Sequence, residues 1–272
     1  MSLVQQINTI SLSRLKPYLA LCAKSPVSGS GKYKLAICIY LALQHRTGIF
    51  FSLIQELEVS IRNEMSYILK NYVAPNKDLL AYFCFLACDS RSQLSSESKS
   101  NLKQGIANLL GLKVRQVTDA QKTEKQLKNR KINENDIIAA ITFGFWVHLL
   151  NDDVKKNPHF LYWSNLFSPV LFGGRFNSTT QIFKSLRTIL AFRNKLYHQE
   201  PVWKKNNVNT PHKALSELQK KYNLFLSYLS NIAPYRIQLR KNARLQAWLD
   251  NFNFDQSVFD SEVNKLMAIS FT

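Results

Sequence analysis

The residues best suited to chemistry form one short string, Arg193–His198, which reads RNKLYH. An arginine neutralises a phosphate group, and a histidine can accept or donate a proton near neutral pH. The string therefore suits chemistry on a phosphodiester, with Arg193 stabilising charge on the phosphoryl oxygens. His198 would protonate a leaving 5′-oxygen or, when neutral, take a proton from a ribose 2′-hydroxyl.

A predicted amphipathic helix carries this string. The side chains of Asn177–Thr180 are suited to capping a helix that runs from about Thr180 to His198, and Pro201 follows its end. Its apolar stripe consists of Ile182, Phe183, Leu186, Ile189, Leu190, Leu196 and Tyr197.

The position of Arg193 inside that stripe allows two interpretations. A buried arginine must be paired or must face a cleft, and Asn194 and His198 lie side by side on the adjoining flank. His198 also lies in the last turn, where a helix end favours positive charge. In the alternative, Arg193 pairs with a buried acid such as Glu58 and His198 only caps the helix. The residues alone favour neither interpretation.

A second polar set lies on an earlier predicted helix, which follows a break near Thr47-Gly48. Glu58 and Arg62 are four residues apart at the edge of its apolar face, and Asn63 comes next. That spacing favours an ion pair within the helix on a solvated flank over a polar group directed inward at an active site. The apolar face consists of Leu53, Ile54, Leu57, Ile61, Met65 and Ile68.

Composition predicts a helical protein with an anionic partner. The chain has 272 residues, of which 46% are hydrophobic and only 8 are glycine and 8 proline, which favours long helices and an all-α fold. Its formal net charge of +18 indicates a nucleic-acid partner. The basic stretch Lys103–Lys131 is either a solvated face or an RNA-contacting surface.

The four cysteines, Cys22, Cys38, Cys84 and Cys88, lie in apolar surroundings without metal-ligand spacing. We therefore expect reduced core thiols, no metal and no cofactor. The longest apolar runs, at residues 35–43 and 79–88, are shorter than the ~20 residues that cross a bilayer. With no signal-peptide pattern, the sequence predicts a cytoplasmic protein without a membrane partner.

Four strings, in order, give the chain a resemblance to the Abi-like (abortive infection) family of the HEPN superfamily. They are Leu57–Asn63, Phe143–Trp146, Arg193–His198 and Gln199–Val202, and the resemblance covers roughly residues 30–205. It implies a HEPN-like helical bundle with additional helices. The corresponding division of the chain is an N-terminal helical segment that ends in a loop at Ser25–Lys32 (1–33), the helical domain (34–232) with a polar, basic insert at about 89–132, and a C-terminal helical extension (233–272).

The same resemblance implies a metal-independent endoribonuclease toxin of phage defence or a toxin–antitoxin system, with R-x4-H as its active-site motif. By position, Arg193, His198 and Asn194 are catalytic. Supporting or RNA-binding roles fall to Glu58, Arg62, Asn63, Tyr197 and Glu200. The implied partners are RNA, a second copy in a homodimer, and an RNA or protein antitoxin.

One departure from the family pattern bears on activity. Gln199 stands where the family commonly has a second histidine, so His198 is the one nearby proton shuttle of the string. A catalytically inactive RNA-binding or regulatory module within a defence complex is therefore the alternative function.

Overall fold

The computed structural model describes residues 3–73, 78–92, 94–150, 175, 178–242 and 254–269, and the predicted all-α class is confirmed because no strand occurs among them. In chain order the helices are α1 (Leu3–Ile10), α2 (Leu12–Leu21), α3 (Gly29–Thr47), α4 (Ile49–Ile68), α5 (Leu79–Cys88), α6 (Ser96–Leu110), α7 (Ala120–Asn129), α8 (Glu134–Ala140), α9 (Phe143–His148), α10 (Thr179–Tyr197), α11 (Pro211–Ile232), α12 (Pro234–Asn242) and α13 (Gln256–Ala268). A π-helical turn, Leu69–Val73, continues α4, and 3-10 turns lie at Ser90–Ser92 and Val114–Gln116.

The chain forms two compact units that interleave along the sequence. The first, here called the motif unit, comprises Met1–Gln55, Ala191–Ser230 and Pro234–Thr272. The second, called the central unit, comprises Glu56–Leu190 and Asn231–Ala233. Helices α4 and α10 each contribute residues to both. The division into three consecutive segments stays a prediction.

An aromatic cluster forms the core of the motif unit near the end of α10. Phe50, at the start of α4, packs against Phe192 of α10 and Phe225 of α11, with ring centroids 4.7 and 6.1 Å apart. Phe192 and Phe225 also meet edge to face at 4.9 Å. All three rings are buried, so the α10 segment that follows Phe192 is held from two sides.

The boundaries of α3 confirm one prediction and correct another. The predicted break is confirmed, because α3 ends at Thr47 and α4 begins at Ile49. The segment Ser25–Lys32, expected as a loop, is helical from Gly29 onward, and Ser28 precedes the helix in an extended conformation. Gly29 itself has a φ of 57°, a left-handed value that glycine adopts without strain and that lets the helix begin there.

The central unit buries the predicted apolar face of α4 and the aromatic residues of α9. Leu57, Ile61, Met65 and Ile68 are fully buried. Phe143, Phe145 and Trp146 are also buried, so this string belongs to the core of the central unit.

The basic stretch of the central unit is part of its packed helical structure. Ser95 caps α6 by accepting a hydrogen bond from the Ser98 amide at 3.1 Å, so the serine-rich residues Ser96, Ser98 and Ser100 belong to this helix. Helix α6 approaches α8 closely at Gly105, where a Cβ atom would lie 3.2 Å from the carbonyl oxygen of Ala140. The lysines of this stretch therefore lie on helices that also contribute residues to the core.

Among the described residues, one stretch, Gly29–Tyr72, which spans α3, α4 and most of the π-helical turn, is long and apolar enough to cross a membrane by length and composition. Its most apolar window is 56% buried within the structure. Core helices of soluble proteins have the same properties, so this stretch is weak evidence for a membrane span.

Candidate active site

Helix α10 begins and ends close to the predicted residues. Ser178 caps it, with its Oγ accepting a hydrogen bond from the Gln181 amide at 3.2 Å, and the last helical residue is Tyr197. Tyr197 corrects the predicted apolar stripe, because it is 46% exposed. The buried residues of the helix are Ile182, Ser185, Leu186, Ile189, Phe192 and Leu196.

The chain after Tyr197 forms a Schellman motif that fixes His198. The Glu200 amide donates to the Lys195 carbonyl at 2.9 Å, and the Gln199 amide donates to the Leu196 carbonyl at 3.0 Å. His198 is therefore the C-cap residue, and its own amide bonds to the Asn194 carbonyl at 3.0 Å. The imidazole is exposed to solvent at the end of the helix.

Gln199 holds this turn in a left-handed conformation with a φ of 56°. Glycine normally occupies that position, because the left-handed conformation costs a residue with a Cβ atom about 1–2 kcal/mol of conformational free energy. The side chain of Gln199 is held by Arg14 of α2, whose Nη1 donates to Gln199 Oε1 at 2.8 Å. Arg14 thus supports the turn that carries His198. No local signal predicts this contact, because 185 residues separate the two side chains.

Arg193 is partly buried and engages its own string. Its guanidinium carbon lies 4.4 Å from the centre of the Tyr197 ring, and Nη1 donates to Asn194 Oδ1 at 3.3 Å. Tyr197 in turn meets Phe51 of α4 edge to face at 5.6 Å. The four-residue spacing of Arg193 and Tyr197 is the sequence signal for this stacking. The predicted catalytic residues Arg193, Asn194 and His198 therefore lie at one helix end.

Lysines crowd the same part of the motif unit. Glu217 of α11 is buried and accepts hydrogen bonds from Lys205 and, at 3.1 Å, from Lys220. The bond from Lys205 is the largest influence that holds the pKa of Glu217 below its usual value. Burial lowers the pKa of Lys221, and the charges of Lys205 and Lys195 add to that effect. The region around the string is therefore electropositive.

The second polar set, Glu58, Arg62 and Asn63, lies in the central unit. Arg62 Nη2 lies 3.1 Å from Glu58 Oε1, which confirms the predicted ion pair within the helix. The flank is not solvated as expected, because the two side chains are only 18% and 15% exposed. Arg62 also reaches the Ala139 carbonyl at 3.5 Å, and Asn63 is exposed.

Comparison with known proteins identifies the family of the chain. A family model described as Abi-like protein matches residues 5–204. The chain belongs to the Abi-like family. Neither the curated proteins nor the solved structures contain a match to it.

Membership suggests a role in abortive infection, a form of phage defence. The matched range of this Abi-like protein includes Arg14 as well as all four strings that carried the resemblance. Helices α11 to α13 lie beyond it, so Glu217 and Lys221 are outside the family match. The positively charged surroundings of the string thus come partly from a segment that the family model does not cover.

The cysteines of the Abi-like protein are free thiols in apolar surroundings. Cys22, Cys38 and Cys84 are buried and Cys88 is half-buried, and all four are free thiols. Burial raises the pKa of Cys22 to about 11 and that of Cys84 to about 12. Within the described part of the chain, no group of three or more His, Cys, Asp and Glu side chains is arranged to hold a metal ion.

Proposed function

We propose that this Abi-like protein is a cytoplasmic, metal-independent endoribonuclease of the HEPN type, acting as a toxin in an abortive-infection or toxin–antitoxin system. The observation that supports it best is the exposed imidazole of His198 at the C-cap of α10, five residues after Arg193, whose guanidinium is stacked on Tyr197 and partly buried. The family match and the lysines around the string agree with an RNA substrate.

Cleavage would proceed by attack of a ribose 2′-oxygen on the adjacent phosphorus. The new 2′-O–P bond forms while the bond from phosphorus to the 5′-oxygen breaks, which leaves a 2′,3′-cyclic phosphate and a free 5′-hydroxyl. A neutral His198 accepts the 2′-hydroxyl proton, and a protonated His198 gives a proton to the leaving oxygen. Arg193, held in place by Tyr197 and Asn194, stabilises the charge on the non-bridging oxygens.

A homodimer would supply both protonation states at once. Each chain offers one His198, whereas the reaction uses a base and an acid in the same step. Gln199, at the position of a second histidine, carries no titratable group and is bound to Arg14. Two copies meeting at the exposed end of α10 would therefore form a composite site, which an RNA or protein antitoxin would block.

The alternative function is a catalytically inactive RNA-binding or regulatory module. The observation that favours it is the same Gln199, because a string with one histidine can retain RNA affinity through Arg193 and the lysines without cutting. The two functions differ in whether His198 is needed for a covalent change in RNA.

Purified protein incubated with single-stranded and structured RNA in excess EDTA tests the proposal. We expect cleavage products that end in 2′,3′-cyclic phosphate, and a loss of about 10²- to 10⁴-fold in rate for His198→Ala and for Arg193→Ala. His212→Ala is the matched control, because His212 is an exposed histidine of the same unit, paired with Asp260 at 2.8 Å.

Equal rates for wild type and both string variants would refute the assignment. Loss of wild-type cleavage in EDTA would refute the metal-free chemistry. RNA binding without any cleavage would favour the regulatory module. Analytical ultracentrifugation of the wild type would test the dimer, and a monomer that is fully active would argue against a composite site.

A further inference from the structure

A small cavity opens beside the catalytic string, within the motif unit. It has a volume of about 200 Å³, and we call it the aromatic cavity. Helices α2, α3 and α4, the last turn of α10 and the segment after His198 all contribute to its walls. The residues used below are Tyr18, Tyr40, Gln44, Phe51, Glu200 and Trp203.

Rigid aromatic rings form the inner wall of the aromatic cavity. Tyr18 meets Tyr40 edge to face at 5.1 Å and meets Trp203 at 5.3 Å. Tyr18 and Trp203 are buried, whereas Tyr40 is half-buried. Flat, preorganised rings of this kind suit a planar ligand, because little side-chain entropy is lost when it stacks.

Polar groups accompany these rings. Burial raises the pKa of Tyr18 to about 12, and the nearby indole N–H of Trp203 partly offsets that rise. The same N–H is buried and makes no hydrogen bond of acceptable geometry within the described residues. Gln44 and Glu200, both exposed, add an amide and a carboxylate. Together they present donors and acceptors of the kind that read the edge of a nucleobase.

The size and position of the aromatic cavity further limit the class of ligand that it can bind. Pockets for drug-sized molecules occupy about 300–1,000 Å³, so this one suits a single ring system. Glu200 lies two residues after His198, which keeps their Cα atoms within about 7 Å. Phe51 lines the cavity and also contacts Tyr197, the ring on which Arg193 stacks. A phosphate held by Arg193 and His198 would thus have this cavity next to it.

We propose that the aromatic cavity binds one unpaired base of the RNA strand whose phosphate lies at Arg193 and His198. The identity of the strand rests on the proposed function, whereas base binding itself does not require cleavage. Because a base in a duplex is stacked and paired, this cavity makes the protein selective for single-stranded or looped RNA.

Binding of labelled RNA to a non-cleaving background tests the proposal. The background is His198→Ala in the full-length chain, measured by fluorescence anisotropy with a single-stranded oligoribonucleotide and with a series in which each base in turn is removed. In that background, Tyr40→Ala should weaken binding about 5- to 150-fold, as expected for loss of one stacking ring. Tyr40→Phe keeps the ring and should retain the affinity. Tyr33→Ala, an exposed tyrosine of the same helix outside the cavity, is the matched control.

The decisive result is the dependence on one base. The loss of RNA affinity caused by Tyr40→Ala should disappear when one particular base of the strand is absent. Duplex RNA should also bind more weakly than single-stranded RNA. The proposal would be overturned if Tyr40→Ala caused the same loss of affinity for every abasic strand, or no greater loss than Tyr33→Ala. So would a free nucleoside monophosphate that occupies the cavity without competing with the strand.

These outcomes are independent of catalysis. If wild-type protein binds RNA with this base dependence but does not cut it, the proposed endonuclease fails and the base site stands. If it cuts RNA with no such dependence, the endonuclease stands and the base site fails.

Discussion

Replacing Glu262 by glutamine should weaken the docking of helix α13 on α3. Arg46 of α3 is 2% exposed and forms an ion pair with Glu262, which also lies 3.2 Å from Nδ1 of His45. Removing one partner of a buried ion pair costs about 3–5 kcal/mol, because a charge stays buried without compensation. Here Arg46 keeps the Ala42 carbonyl at 2.8 Å and the Phe259 ring at 4.9 Å, and Glu262 is 29% exposed. We therefore expect a smaller cost, about 2–3 kcal/mol.

That free energy predicts a local effect measurable by hydrogen exchange. If α13 opens from its docked position, a cost of about 2–3 kcal/mol speeds exchange of its amides by about 30- to 140-fold. Amides of the central unit should keep their wild-type rates. Mass spectrometry of peptides from residues 256–268 gives the readout.

Asp260→Asn is the matched control for this prediction. It makes the same change of charge on the same helix, but the pair of Asp260 with His212 is about half exposed and is worth about 0.2–1 kcal/mol. Exchange rates of α13 that are equal in the two variants would refute the argument from burial. Faster exchange throughout the chain after Glu262→Gln would show that the effect is global.

Three further predictions concern the string, the buried acid and the thiols. Tyr197→Leu should lower the RNA cleavage rate about 2- to 5-fold relative to Tyr197→Phe, because only phenylalanine keeps a ring under Arg193; equal rates would argue against the stacking. Glu217→Gln should destabilise the protein to urea at pH 7, and its difference from wild type should shrink as the pH falls through the lowered pKa of Glu217, because the hydrogen bond from Lys205 holds that pKa below its unfolded value. Cys84, with its pKa raised to about 12 by burial, should not react with a disulfide reagent at pH 8 until urea unfolds the chain, and rapid labelling in the native state would contradict its burial.

Sequence patterns were sufficient for the helices and for much of the core. The apolar face of α4, the break after Thr47 and the cap at Ser178 are properties of local spacing, so each could be predicted from neighbouring residues. The helix that carries Arg193–His198 could be predicted for the same reason. Because the string occupies the last residues of that helix, its polar side chains could be placed at one helix end.

The missed features depend on tertiary packing. Arg46 belongs to a polar stretch in sequence, Gln44–Thr47, yet it is buried, because Glu262, 216 residues later, pairs with its guanidinium. The left-handed Gln199 carries no glycine signal, and the flank of Glu58 and Arg62 is shielded rather than solvated. The aromatic cavity likewise draws its walls from residues far apart in sequence. Periodicity within one helix cannot report on such contacts.

The contact between Arg14 and Gln199 sets an order in time. A turn that relied on glycine would take its shape as soon as it was made, but this one is secured by a helix synthesised 185 residues earlier. At a ribosomal rate of about 5–20 residues per second, α2 is complete about 10–40 s before its partner is added. The end of α10 can therefore be secured only if α2 is already folded and accessible when Gln199 leaves the ribosome.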